Sequence, residues 1–430
     1  MRWTPIAGLA PALLIALALA STASASPVLT LREDGSVVKR EDPYLPPAQS
    51  LGPAPKALAG GADQRATRGR ATRGRATLRA GRRKTVRREL KRILKAGAIS
   101  RAAYDEYRGI YLRARRTRSK LRGARRVALG ATIANLERIA ASGLLSASRL
   151  PALLQTVKRN RAWWSNGPLL GAGRRVSFEG SRLVWQHYPG QGLQIQWLGT
   201  FGKANALWKS EQHDAALRKL LDEALRLASD RAGGIAFEYL FRFGGGSPPW
   251  ASGLAQGTGI QALSRGAVRL SEPRYILAAR RALGIFRRSP PSGVRVRTDA
   301  GAHYLIYSFA RGLRVLNGFT QALNGLYDYA SLANDPGGRA LFARGLAQLR
   351  RELPRYDTGG WSRYSLGGSY ATVSYHTLAR DFLRNLCKRL EGESGVGATV
   401  PTVPVLPGAD ASPFCSAAAR FTAYLKRDRS

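Results

Sequence analysis

Cysteine, histidine and acidic side chains are all scarce in this chain of 430 residues. Four scattered histidines (His187, His213, His303, His376) and two cysteines (Cys387, Cys415) offer no Cys/His spacing that would hold zinc, so no metal is expected. Two cysteines also exclude a dense disulfide framework. In an oxidising compartment they can pair, which would pin the C-terminal segment to the helix before it. Aspartate and glutamate number 27 against 69 lysines and arginines, giving a formal net charge of +42. Such a field favours a polyanionic partner: an acidic polysaccharide, an anionic envelope polymer or nucleic acid.

Long apolar runs are missing too, apart from the first residues, MRWTPIAGLAPALLIALALASTASASP. Arg2, the apolar Ile6 to Ala20 and the small-residue Ala23-Ser24-Ala25 pattern are those of a cleavable signal peptide, with the mature chain starting at Ser26. Nothing later is long and apolar enough to span a bilayer. The protein is therefore expected to be exported, secreted or associated with the cell envelope. Export makes nucleic acid the weaker partner.

Composition and periodicity divide the chain beyond the signal peptide (1–25). Residues 26–83 are rich in Pro, Gly, Ala and Arg and contain the near-repeat RATRGRATRGRATLRAGRR, which predicts a disordered basic tether. Residues 84–165 carry the helical period, with Leu90, Ile93, Leu94 and Ile99 on one face and Ser100 as an N-cap. They predict a basic helical unit that either packs on a larger domain or serves as a polyanion-binding arm. Over 166–204 the period becomes two, in Val176/Phe178, Leu183/Trp185 and Leu193/Ile195/Trp197, with turns at Glu179-Gly180 and Pro189–Gly192, predicting a small antiparallel sheet. From 205 to 430 the helical period returns in about seven segments, near 206–229, 252–270, 273–288, 313–334, 337–353, 371–391 and 413–427. Gly318 and Gly325, seven apart, would let a neighbouring helix approach closely. The fold class expected is mainly α, a toroid or bundle of antiparallel helices after a small β portion and an N-terminal helical unit.

The stretch WSRYSLGGSYATVSYH (361–376) gathers three tyrosines and a histidine, more phenols than a core readily satisfies. It belongs to an ordered set of three motifs: SPPWASGLAQGTGIQAL (247–263), RVLNGFTQALNGLYDYA (314–330), and LPRYDTGGWSRYSL followed by SYHT (353–377). Together these resemble the C-terminal domain of the D-glucuronyl C5-epimerases, which convert glucuronate to iduronate within heparan-type chains, over about residues 175 to 390. The resemblance implies an (α/α) toroid preceded by β structure, a tendency to dimerise, and an isomerase that needs no cofactor. It implies catalytic tyrosines at Tyr307, Tyr364 and Tyr375, while Tyr370 has no counterpart. Trp250, Gln256, Asn317 and His376 fall in the motifs and are candidate substrate contacts. Two positions depart from the family pattern. Ile306 stands where members carry a glutamate, and Gly367 where animal members carry an arginine.

Epimerisation at C5 removes a proton beside a carboxylate on one ring face and returns one on the other, so it needs an acid/base group on each side. The charge that builds on the carboxylate needs Arg or fixed donors. A phenolate base near neutrality needs a lowered pKa, which a cationic neighbour supplies. Arg363 beside Tyr364, and Arg311 or Arg314 near Tyr307, are the candidates. Tyr327 and Tyr329 read as packing aromatics. Three other readings stay open: a uronate polysaccharide lyase, a non-catalytic glycan or envelope binder on the same fold, and a nucleic-acid binder acting through residues 62–126.

Overall fold

The computed structural model describes residues 26–46, 84–392 and 405–427. The signal-peptide segment and the arginine repeat both lie outside them. Residues 26–46 correct the expectation of a tether that starts at Ser26. Strands β1 (Ser26–Leu31) and β2 (Val37–Asp42) pair antiparallel across a short turn. Val28 and Leu31 are both buried, on opposite faces of β1, a signal hidden when the segment is averaged with the Pro/Gly/Arg-rich residues after it.

Next come four helices: α1 (Val86–Lys95), α2 (Arg101–Lys120), α3 (Gly123–Ala141) and α4 (Leu150–Asn166). Thr85 and Ser100 cap the first two through their hydroxyls, accepting from Arg88 N and Ala103 N. The unit is docked rather than held out as an arm. Asn160 on α4 donates to Leu193 O (2.7 Å) and accepts from Leu193 N (2.8 Å), clamping the helix to the sheet.

The strands β3 (Arg175–Phe178), β4 (Trp185–Tyr188) and β5 (Gly192–Ile195) join the first hairpin in one sheet of order β2-β1-β3-β4-β5. It is antiparallel except where β1 runs parallel to β3. Helix begins earlier than the period-two pattern implied, because Trp197 already belongs to α5 (Trp197–Lys209), started by the Gln196 side chain accepting from Gly199 N. A turn at Ser210–His213 splits the long segment expected at 206–229 and starts α6 (Asp214–Arg226).

The rest of the chain is mainly helical. A small hairpin of β6 (Ser229–Arg231) and β7 (Gly234–Ala236) precedes α7 (Gly253–Arg269), α8 (Pro273–Ala282) and the short α9 (Gly284–Arg287). A second hairpin, β8 (Arg295–Thr298) and β9 (Gly301–Tyr304), leads into α10 (Leu316–Leu332), α11 (Pro336–Glu352), α12 (Val373–Leu390) and α13 (Ser412–Arg427). The helices stand as hairpins, α5 with α6, α7 with α8, α10 with α11, α12 with α13. Their first members pack against one another in the row α5-α7-α10-α12. Nearly every side chain of α7 and α10 is buried, as a helix covered on all sides must be. The architecture is thus mainly α with a small sheet and an N-terminal helical unit. Among the described residues no helix is long and apolar enough to cross a membrane. Cys387 and Cys415 are joined, with Cα atoms 5.0 Å apart, tying α12 to α13.

The row is held close by glycine. A Cβ on Gly325 of α10 would collide with Gly257 O of α7, and one on Gly257 would sit 2.7 Å from the Ala322 Cα. Gly318, the other glycine of that spacing, faces the Ile306 side chain instead. Because backbone rather than a movable side chain blocks the space, Gly325→Ala should destabilise the fold by about 1–3 kcal/mol, read from urea unfolding.

Candidate active site

The row α5-α7-α10-α12 and the sheet enclose a cavity of about 850 Å³. Its floor is polar. Asp328 of α10 accepts from Arg389 of α12 (Nε, 2.6 Å) and from Arg265 of α7 (Nε, 2.9 Å), and Gln261 adds a third donor at 2.9 Å. Arg265 also reaches Asn205 of α5 at 3.0 Å, so one buried network joins four helices. Burial alone would raise the Asp328 carboxyl. The Arg389 and Arg265 guanidiniums outweigh it and hold the group below the usual carboxylate range. Two cations around one carboxylate leave the floor net positive. Along α10, Asn317, Gln321 and Asn324 line the cavity, and the Oδ1 atoms of both asparagines are buried without a partner.

The wall is aromatic. Tyr239 and Trp250 stack with ring centroids 4.3 Å apart, and Tyr307 meets Trp250 edge-on at 5.5 Å. Tyr364 is fixed by its backbone, accepting from Leu316 N at the start of α10 and donating to Ser369 O. Tyr375 sits in the first turn of α12, whose N-cap is Thr372, and its ring lies 4.8 Å from that of Tyr364. The fold therefore brings Tyr307, Tyr364 and Tyr375 to one cavity, together with Tyr188 and Tyr239. All five phenols are raised above the ordinary 10, with burial the first cause in each. For Tyr307 the neighbouring charges that push further are Tyr364, Tyr375, Tyr239 and Tyr188.

The other candidates divide. Trp250 and Asn317 line the cavity. Gln256 does not: it is buried behind the wall, accepting from Phe237 N and donating to Ile235 O and Ala282 O. His376 likewise holds the motif together, bonded to Ser362 Oγ (2.7 Å) and Phe421 O (3.0 Å) and stacked on Trp361 at 3.9 Å. The arginines expected to lower the phenols lie elsewhere. Arg314 pairs with Glu352 (2.8 Å), Arg311 bonds Pro290 O, and Arg363 bonds Gly368 O beside the Tyr370 ring. Short-range sequence neighbours point apart in loops, so adjacency to a tyrosine did not put these guanidiniums in the cavity. Ile306 does line it, and Glu211 is the sole acidic residue lining it among the described residues.

Sequence reasoning also missed Arg175, the cation that the sheet brings to the cavity in addition to the floor's Arg265 and Arg389. The β3/β4 register sets Arg175 opposite Gln186, and strand alternation puts Tyr188 on that same face. Arg175 is only 9% exposed and has no carboxylate partner among the described residues. Its contacts are Pro46 O and, at 3.5 Å, Gln186 Oε1. Burial lowers its pKa, and it in turn favours the ionised form of Tyr188. The signal was present as the polar face of an alternating strand, which ordinarily faces solvent.

Asp328→Asn, which leaves two buried guanidiniums short of a counter-charge, should cost about 3–5 kcal/mol at neutral pH. The Asp328 pKa is lowered on folding, so its contribution is present above the unfolded value near 3.8 and is lost as pH falls through the folded value. Unfolding free energy followed against pH should show a flatter acid limb in the variant.

Comparison with known proteins covers part of this site. Residues 230–396 match the family profile described as the D-glucuronyl C5-epimerase C-terminus. A D-glucuronyl C5-epimerase of Caenorhabditis elegans is 33% identical over 178 residues, 37% of this chain and 28% of that protein. An uncharacterized protein of Methanocaldococcus jannaschii is 26% identical over 139 residues, 31% of this chain and 45% of that one. The chain thus spans less than half the length of either relative. An endo-beta-1,4-glucanase of Acetobacter xylinum overlays 54% of this chain and 87% of its own, at 14% identity and a TM-score of 0.31, too slight a likeness to carry an argument. The matched segment contains Tyr307, Tyr364, Tyr375 and Asp328 with Gln261, Arg265 and Arg389, while Arg175, Tyr188 and Asn205 lie before it. Residues 230–396 of this chain belong to the D-glucuronyl C5-epimerase C-terminal family.

Proposed function

We propose that the protein is an exported isomerase that inverts C5 of uronate residues, of the glucuronate-to-iduronate kind, within an acidic polysaccharide. The observation that carries the reading is the convergence of Tyr307, Tyr364 and Tyr375 on one cavity that also holds a buried arginine with no acidic partner among the described residues. In this reading Arg175 holds the uronate carboxylate through its guanidinium. One phenolate takes the C5 proton, the C–H electron pair passes into the carboxylate, and Arg175 and the phenol donors stabilise the enediolate. A neutral phenol on the other ring face then gives its proton to C5. After a turnover the two phenols have exchanged protonation states, so no co-reactant is consumed. The amides along α10 and the net positive floor suit sugar hydroxyls and a polyanionic chain. Ile306, in place of the glutamate of other members, leaves the proton transfers to phenols.

Raised phenols make the reaction alkaline-favoured. Below the phenol pKa the phenolate fraction of the free enzyme grows tenfold per pH unit, so log kcat/KM should rise with a slope near one from about pH 6 to 9. A plateau around pH 7 would exclude a phenol of raised pKa as the base in the free enzyme. Arg175→Gln should lower kcat/KM about 10²-fold, the usual scale for loss of one charge-stabilising donor. The functional test is NMR of the C5 position after incubation with uronate polymers in heavy water. Deuterium at C5 with a second epimer supports the reading. Unsaturated, ultraviolet-absorbing ends would mean that C4 elimination follows proton removal and the protein is a lyase. Salt-sensitive binding without exchange would leave a glycan binder.

A further inference from the structure

The lining of the cavity is laid out in rungs. Helix α7 contributes Thr258, Gln261 and Arg265, and α10 contributes Asn317, Gln321 and Asn324, each set on one helix face. Gln321 bonds Thr258 and, further on, Asp328 bonds Arg265, so the two helices run in the same direction. α12 runs with them, since Asn324 meets Phe382 and Asp328 meets Arg389. The cavity is therefore a channel along the helix axes. Tyr364 and Tyr375 stand where α10 and α12 begin, and Arg265 and Arg389 where α7 and α12 end.

The two ends are well separated, and α5 measures the distance because Arg175 and Arg265 both reach it. A Cβ on Gly199 would lie 3.6 Å from Arg175 Nη2, and Arg265 Nη1 donates to Asn205 Oδ1 at 3.0 Å. Six residues of α5 separate those contacts, about 9 Å at about 1.5 Å per residue. One carboxylate held by Arg175 cannot also touch Arg265.

The far end is built for charge. Arg265 and Arg389 line it while only 8% and 5% exposed, and Asp328 between them sets one negative charge against their two positive ones. The Trp208 ring, 4.5 Å from the Arg265 Cζ, holds that guanidinium from α5. Asn324 adds a buried carbonyl oxygen without a hydrogen-bond partner. Lys209 of α5 and Asn385 of α12 line the same end and are exposed, so it opens to solvent between those helices. Glu211, on that rim, faces Arg269 at 3.8 Å. A buried excess of positive charge favours an entering anion, and a sugar hydroxyl beside the anion would satisfy the amide oxygen.

We propose that Arg265, Arg389 and Lys209 form a second subsite, which holds an acidic group, carboxylate or sulfate ester, on a part of the polysaccharide other than the residue at the tyrosines. The inference rests on the carbohydrate reading of the cavity and adds how the polymer lies in it, along the helix axes from the tyrosines to the opening between α5 and α12. Asn385→Asp tests it without cutting the buried network. The new carboxylate is isosteric and exposed, and it stands one turn before Arg389, where a helix accepts an acid-to-base pair. It cancels the excess positive charge.

The measurement is calorimetry on the full chain with free glucuronate and with uronate oligosaccharides carrying two or more acidic groups. The wild-type protein should bind the oligosaccharides about tenfold or more tighter than the single sugar, the scale of one charge-assisted bond. Asn385→Asp should erase that advantage, with single-sugar affinity and the unfolding transition unchanged, and Lys209→Gln should reduce it. Tighter binding of a sulfated oligosaccharide than of an unsulfated one of equal length would assign the subsite to a sulfate ester, and equal binding to a carboxylate. Equal affinity for single sugar and oligosaccharide, or unaltered oligosaccharide affinity in Asn385→Asp, would overturn the subsite. Length-dependent binding that Asn385→Asp removes, without deuterium exchange at C5, would uphold the subsite while the epimerase reading fails.

Discussion

Asp328 is the point on which the cavity depends. Its carboxylate is buried in the C-terminal part of α10 and has to be paired there, because an isolated ionised carboxylate at such a place is prohibitively unfavourable. The partners come from α7 and α12, the helices on either side, and Arg265 continues the network to Asn205 on α5. The same interaction that satisfies the charge therefore fixes the mutual positions of the four helices forming the floor. Glycine does the complementary work, since Gly257 and Gly325 let α7 and α10 approach until backbone meets backbone. Distance is set by the glycines and register by the ion pairs. The loops that carry Tyr307 and Tyr364 are anchored on that frame, the first through Ser308 N to Ala251 O and the second through Leu316 N.

Burial then decides the protonation chemistry. The cavity wall is made of aromatic rings that exclude water, and five phenols share it, so each raises the cost of ionising the next. A neutral phenol is a competent proton donor, and the phenolate that the proposed reaction would use as base is scarce at neutrality. This differs from a cleft in which flanking arginines lower the phenols, because Arg363 and Arg314 are bonded to loop carbonyl and glutamate. Arg175, buried with no acidic partner among the described residues, comes from a strand outside the family-matched segment. The complete cavity is thus assembled from two parts of the chain, one that matches the epimerase family and one in which the sheet supplies a polar face.

Much of this was legible in the sequence, and the reasons for the remainder are specific. The long helices α7, α10, α11 and α12 were legible in the helical period near 252–270, 313–334, 337–353 and 371–391, and the structure starts three of them on the caps Ser252, Asp335 and Thr372. The convergence of the three tyrosines was legible only through the ordered motifs, since Tyr307 lies 57 residues before Tyr364 and no local pattern joins them. Gln256 and His376, candidate contacts by their place in the motifs, brace loops instead. Motif membership does not separate a residue that touches the cavity from one that braces the loop behind it. Arg175 and Tyr188 were invisible because a polar strand face reads as solvent-exposed until something covers it. Val28 and Leu31 were lost in a window dominated by arginine and glycine.

In the proposed reaction two phenols on the cavity wall move protons to and from opposite faces of one sugar ring. The most direct measurement is single-turnover conversion of a uronate polymer by Tyr307→Phe and Tyr375→Phe proteins, each checked for an unchanged unfolding transition. Phenylalanine keeps the ring packing and removes only the acid/base oxygen. The account predicts that both folded variants lose epimer formation. Conversion at the wild-type rate by both would contradict it.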